Sequence, residues 1–333
     1  MLSIPSAHET WFVRSVPPLD WSFARSTVTV GLLSLAVLAT LLAVVVARLR
    51  PNFEIPALAR LAPFIPFAIR MHLAVSLVTL LSMGSYMSPA MRLPRSAVGF
   101  AFGAVMIIVA IGMATGFRAR FAALLLLLAG PIGMVQFGFS PVLQRVDVLG
   151  LALFVLIAGP GRWSADHEMG RELLPNSDAI AVAMIALRVC VGAALIIVAF
   201  AEKLANPELA RRFLSHYPAF NVVRSLELPM SDATFIRCAG AVEVLFGLLL
   251  ISGAVPQLVA IAVGVPFNIT LFFLGAEELA GHLPIYGVML ALLVYGSCAR
   301  VPYLDAERRR QFLAHPARFA RSLETGASGV DRR

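Results

Sequence analysis

The sequence predicts an all-α, polytopic transmembrane bundle of about nine helices, and three observations predict it. Of 333 residues, 59% are hydrophobic and 14% charged, where a soluble globular protein carries roughly a quarter charged residues; mean hydropathy is +0.85. Apolar stretches of about 18 or more residues recur along most of the chain, each long enough to cross a ~30 Å hydrocarbon core. Their runs are continuous, as in Leu41 to Ala47 and Leu124 to Ala129, rather than alternating. Helices therefore satisfy the backbone inside lipid, and a closed barrel does not fit.

Taken in order, the apolar segments place helices near 28–47, 67–87, 97–115, 119–139, 146–160, 179–201, 236–253, 256–275 and 284–299. Short breaks at Ser88-Pro89, Gly116 to Arg120, Ser140-Pro141 and Gly253 to Pro256 separate several of them. The fifth is short for a span. Two longer connections remain, 161–178 and 202–235. The second holds Pro207, Pro218 and Pro229 and predicts a short interfacial helix around Glu208 to Leu214.

The net charge of +8 is almost entirely arginine, Lys203 being the sole lysine. These arginines lie between helices and in the tail after Arg300, where they set topology rather than bind nucleic acid. Arg48, Arg50, Arg60, Arg118, Arg120, Arg162, Arg171 and the tail fall on one side of a nine-span bundle. By the positive-inside rule that side is cytoplasmic, with the N-terminus outside and the C-terminus inside. The segment up to Ser26 has no apolar core or small-residue cleavage site, so it does not read as a cleavable signal peptide. Cys190, Cys238 and Cys298 are far apart and sit in or beside apolar runs, as small buried residues do. No metal-ligand spacing, P-loop or dinucleotide fingerprint is present.

An internal repeat follows from glycine spacing. Gly103-Ala104-Val105 recurs as Gly240-Ala241-Val242; at the same offset Gly116 meets Gly253, Gly150 meets Gly287 and Gly159 meets Gly296. Pro131 meets Pro266 with a two-residue slip, and Arg70 meets Arg188 at a shorter offset. Helices two to five thus read as a copy of helices six to nine, preceded by one extra helix. The predicted organisation is 1–66 with one span, 67–178 and 179–305 as four-helix repeats, and 306–333 as a basic cytoplasmic tail. Four spans per copy give both the same orientation.

Ionisable groups inside a span cost roughly 2.5–3.5 kcal/mol at its centre on insertion scales, so they default to function. Arg188 in the sixth helix, Glu243 in the seventh and Asn268 in the eighth stand out, with Lys203 closing the sixth and His282 in the turn before the ninth. Together they predict an outward-facing pocket for ligand binding or proton relay. The competing reading makes Arg188 and Glu243 a buried ion pair that only fixes packing, and His282 a solvated residue on an exposed turn. The positions matching Lys203, Glu243 and Asn268 in the first copy are Ser85, Met106 and Gly133. Charge confined to one copy favours a site in the second half. No catalytic residue and no metal ligand is assigned.

Leu187-Arg188 opening a helix that closes on Glu202-Lys203-Leu204, Gly240-Ala241-Val242-Glu243 followed by Gly247 and Gly253, and Gly281-His282-Leu283-Pro284 resemble motifs of the DoxX-like membrane proteins. The likeness covers about 180 to 305, the first half being a degenerate copy without the acid. It implies the membrane component of a redox process, with a quinone as the expected cofactor, since reduction of its carbonyl oxygens needs proton donors nearby. Nothing is expected to be bound covalently. Membrane lipid and a redox partner subunit are the partners implied, nucleic acid is not, and the setting is a multi-pass protein of a bacterial inner membrane. A transporter or lipid carrier using the same pocket, or a non-catalytic membrane scaffold, are the alternative readings.

Overall fold

The computed structural model of the protein describes residues 17–49, 53–172, 174–274 and 276–298, with positions 270, 272–274, 276–278 and 280 described by backbone alone. The predicted basic tail, 306–333, lies outside the described residues. Nine principal helices occur among those described: α1 Thr27–Leu49, α2 Ile65–Ser82, α3 Ala97–Thr115, α4 Ala119–Phe137, α5 Val146–Ala158, α6 Ser177–Val198, α7 Asp232–Ser252, α8 Pro256–Leu274 and α9 Ala276–Gly296. Among the described residues, six helical stretches are long and apolar enough to cross a membrane: Thr27–Leu49, Pro56–Ser82, Ala97–Thr115, Ala119–Phe137, Ser177–Leu204 and Asp232–Ser252. Of the other three, α5 is short at 13 residues, while α8 and α9 run for 19 and 21 residues. The expected all-α bundle of about nine helices is what the structure has.

The short helix has a physical reason. At a rise of about 1.5 Å per residue, α5 is only about 20 Å long. It ends at Gly159, whose φ of 82° breaks the helix, and Asp147, Val148, Gly150, Leu151, Ala152, Phe154, Val155 and Ala158 are all buried. It is wrapped by protein, not lipid. In contrast α1 packs on α7 and buries only Thr29, Ala36 and Thr40. Leu35, Leu38, Leu41 and Leu42 are each more than half exposed, the surface that a lipid-facing helix presents.

Helix ends follow from local chemistry. Gly116 and Gly253, both at φ 68°, cap α3 and α7 in the left-handed conformation that glycine adopts without penalty. Asp166 caps the start of α4, accepting from the backbone N–H of Arg118 at 2.9 Å and of Ala119 at 3.0 Å. That pair of bonds holds Arg118 at φ 50°, unusual for a side-chain-bearing residue. Asn176 and Ser231 cap α6 and α7 through their side-chain oxygens.

In the packing order, α2, α3, α4 and α5 close into a four-helix bundle in sequence, α5 lies along α6, and α9 lies along α2. α6 pairs with α7 and α8 with α9, yet α7 and α8 share few contacts. The second group of four is therefore open where the first is closed. α6 also runs on through one π-helical turn, Ala199–Leu204, and the predicted interfacial helix is present as Pro207–His216.

Candidate functional site

The gap between the α6–α7 and α8–α9 pairs is a cavity of about 250 Å³. Its walls are mainly apolar, drawn from Leu195, Val198, Ile236, Phe246, Pro266 and Ile285 among others. Ionisable side chains gather in the same cavity: Arg145, Asp147, Lys203, Glu243 and His282. Val242 on α7 and Ile269 on α8 also line it and are 44% and 41% exposed, so the opening is lateral, between those two helices.

Each polar residue has a local reason for its position. The π turn Ala199–Leu204 carries Lys203, and its Nζ lies 3.0 Å from Oε1 of Glu243 on α7. Such single-turn π segments recur at functional sites. The helix Pro207–His216 is amphipathic: Leu209, Ala210, Phe213 and Leu214 are buried, while Glu208 pairs outward with Arg212 at 3.1 Å. Its Phe213 and Leu214 line the cavity. His282 is buried at 4% exposure and meets the Phe267 ring edge to face at 4.6 Å.

Arg145 and Asp147 come from the first half of the chain. Arg145 precedes α5, and Asp147 sits in its first turn; both side chains are 2% exposed, with Nη2 3.3 Å from Oδ2. The same Nη2 donates to the carbonyl of Gly281 at 3.1 Å, tying the start of α5 to the start of α9. The site is thus assembled from both halves.

Of the five predicted residues, Lys203, Glu243 and His282 share the cavity, whereas Arg188 and Asn268 do not line it. Arg188 is buried at 3% exposure, but its guanidinium lies against Gly253, where an added Cβ would fall 1.6 Å from Nη1. That is the far end of α7 from the cavity, so neither the shared pocket nor the competing Arg188–Glu243 ion pair describes Arg188: Glu243 pairs with Lys203. Asn268 is exposed, and its Nδ2 donates back to the Gly264 carbonyl at 2.7 Å. His282 is corrected from an exposed turn to a buried helix position, because α9 begins at Ala276 and Pro284 lies inside it.

Arg145 and Asp147 were missed because charges beside a predicted helix boundary read as solvated. The glycine offset of 137 would have found Arg145, since that offset leads from 145 to 282. The matching positions of the first half are filled differently. Met106 is fully buried, and the Tyr86 ring fills the space at Gly133. Tyr86 stacks on Phe137 at 5.2 Å and meets Phe102 edge-on at 4.8 Å. At the same offset Phe102 corresponds to Ala239, a cavity-lining residue.

Among the described residues no group of three or more His, Cys, Asp and Glu is arranged to hold a metal ion. Comparison with protein families, with curated proteins and with solved structures gives no match.

Proposed function

We propose that this multi-pass membrane protein takes an amphipathic molecule from the bilayer into the lateral cavity, with a quinone as the ligand class and a redox process as its setting. The observation that carries the reading is the combination of an apolar chamber open between α7 and α8 with ionisable groups gathered inside it. Ligand sites are mostly apolar with a few converging polar groups, and typically enclose about 300–1,000 Å³. A volume of about 250 Å³ suits a ring or head group whose tail leaves between the helices. Lys203, Glu243 and His282 line the cavity; in this proposal Lys203 and His282 donate to a quinone carbonyl, and Glu243 and His282 pass protons. Reduction takes two electrons and two protons per quinone; in this proposal the electrons come from a partner subunit and the protons through these side chains.

The DoxX-like resemblance and a bacterial inner membrane belong to the same proposal. So does a duplicated bundle, which paired contacts support. Gly150 faces Cys190 as Gly287 faces His72, Gly159 faces Arg120 as Gly296 faces Gln257, and Gly116 faces Arg70 as Gly253 faces Arg188. In each case the glycines are 137 apart, and the partners 118 or 137 apart. Small residues at these crossings let helices approach closely. The lining residues come from the Lys203 end of the bundle, which favours binding over passage across it.

The test is thermal melting of purified protein in detergent with decylubiquinone. A ligand that binds only the folded state raises the midpoint, by about 2.7 kcal/mol of stability at a hundredfold excess over Kd. Val242→Trp, which blocks the mouth, abolishes the shift. An unchanged midpoint at saturating quinone, or an equal shift in Val242→Trp, refutes the reading.

A further inference from the structure

Asp147 is unusual among the cavity's polar groups. Its side chain is 2% exposed, yet neither carboxylate oxygen accepts a hydrogen bond among the described residues, and the Nε of Arg145 donates none. The ion-pair contact, Nη2 to Oδ2 at 3.3 Å, offsets the charge without filling the acceptor sites. An ionised carboxylate offers about four lone-pair positions, and a buried polar group left without partners is costly. Both residues line the cavity. A buried acceptor without a hydrogen-bond partner among the described residues, on a residue that lines a ligand-sized chamber, is suited to a donor on the ligand.

We propose that Asp147, held in place by Arg145, is the head-group subsite of the cavity and accepts a hydrogen bond from a hydroxyl of the bound amphiphile. The proposal rests on the cavity reading above and sharpens it. Arg145 is a positioning residue: its Nη2 reaches both Asp147 and the Gly281 carbonyl, so it sets the carboxylate between α5 and α9. The hydroxyl has two chemical sources, the reduced form of a quinone or the glycerol head group of a lipid. In either case the first half of the chain contributes selectivity to a chamber walled mainly by the second.

The experiment compares matched amphiphiles on the full chain in detergent by microscale thermophoresis. Decylubiquinol is set against the same ring with hydrogen in place of both hydroxyls, and 1-monoolein against methyl oleate. A hydrogen bond to a charged acceptor predicts that a hydroxyl-bearing probe binds about tenfold or more tightly than its match. In Asp147→Asn that ratio falls toward one. Because Asp147→Asn leaves Arg145 buried without its counter-ion, the volume-matched pair Arg145→Met with Asp147→Leu serves as a second variant, and it too loses the preference while still binding the hydroxyl-free probe. The pair that shows the preference identifies the source, quinol or lipid. Equal binding within both pairs, or a preference that survives in both variants, overturns the Asp147 subsite and leaves the cavity standing. Failure of all four probes to bind the unaltered protein overturns the cavity reading and this proposal together.

Discussion

Lys203 Nζ lies 3.0 Å from Glu243 Oε1, joining the π turn after α6 to α7 at the wall of the cavity. At 11% and 28% side-chain exposure, the pair is screened less than a surface ion pair and desolvated less than a core one. Either single change, Lys203→Met or Glu243→Gln, is expected to cost about 1–3 kcal/mol, because the remaining group loses its partner in a poorly solvated place. The double variant should cost less than the two together, with a coupling of about 0.5–3 kcal/mol. Denaturation of the four proteins in detergent measures it; strict additivity would show that the contact contributes nothing.

Arg188 acts at the other end of the bundle. It lies beside the left-handed cap Gly253, where a cation also suits the negative end of the α7 dipole. Gly253→Ala places a methyl in the guanidinium and a side chain at φ 68°, and is expected to destabilise by more than about 1 kcal/mol. Decylubiquinone affinity should be unchanged in the folded fraction. A large loss of affinity would bring Arg188 back into the site.

Asn268 is expected to be silent. Exposed and bonded to its own helix at Gly264, it can become leucine within about ±0.5 kcal/mol, with ligand affinity preserved. Measured affinity in Asn268→Leu that drops tenfold would contradict the placement.

Tyr86 carries a buried hydroxyl with no hydrogen-bond partner among the described residues, and burial pushes its phenol above the usual range. Tyr86→Phe is therefore expected to be neutral or to stabilise by up to about 1 kcal/mol. The sign with pH follows from linkage: the unfolded phenol ionises near roughly 10 while the folded one resists, so stability falls as pH rises past that value. Melting curves of the two proteins between pH 8 and 11 should diverge, the phenylalanine variant holding its stability better.

Much of the bundle was legible from composition because lipid leaves the backbone few options. The nine helical segments, the short fifth and the linking helix Pro207–His216 all follow from apolar runs, prolines and amphipathic spacing. The ends were less legible. α9 begins eight residues before the predicted 284, at Ala276, because Pro284 reads locally as a helix start and only tertiary packing carries the helix through it. The same error put His282 on an exposed turn. Arg188 and Asn268 were placed by depth along their helices, and depth says nothing about which way a side chain faces.

What the sequence determined by itself was the material of the fold: helices, their order, the glycine pairs that let them cross closely, and the presence of costly charge in the second half. Tertiary structure alone decided which charges meet. It set Lys203 against Glu243 rather than Arg188, drew Arg145 and Asp147 across from the first half, and opened a chamber where α7 and α8 stay apart. The physical reason is that hydrophobic patterning acts over one turn of helix, whereas an ion pair or a cavity depends on the rotation of several helices about their own axes, which only their mutual packing fixes.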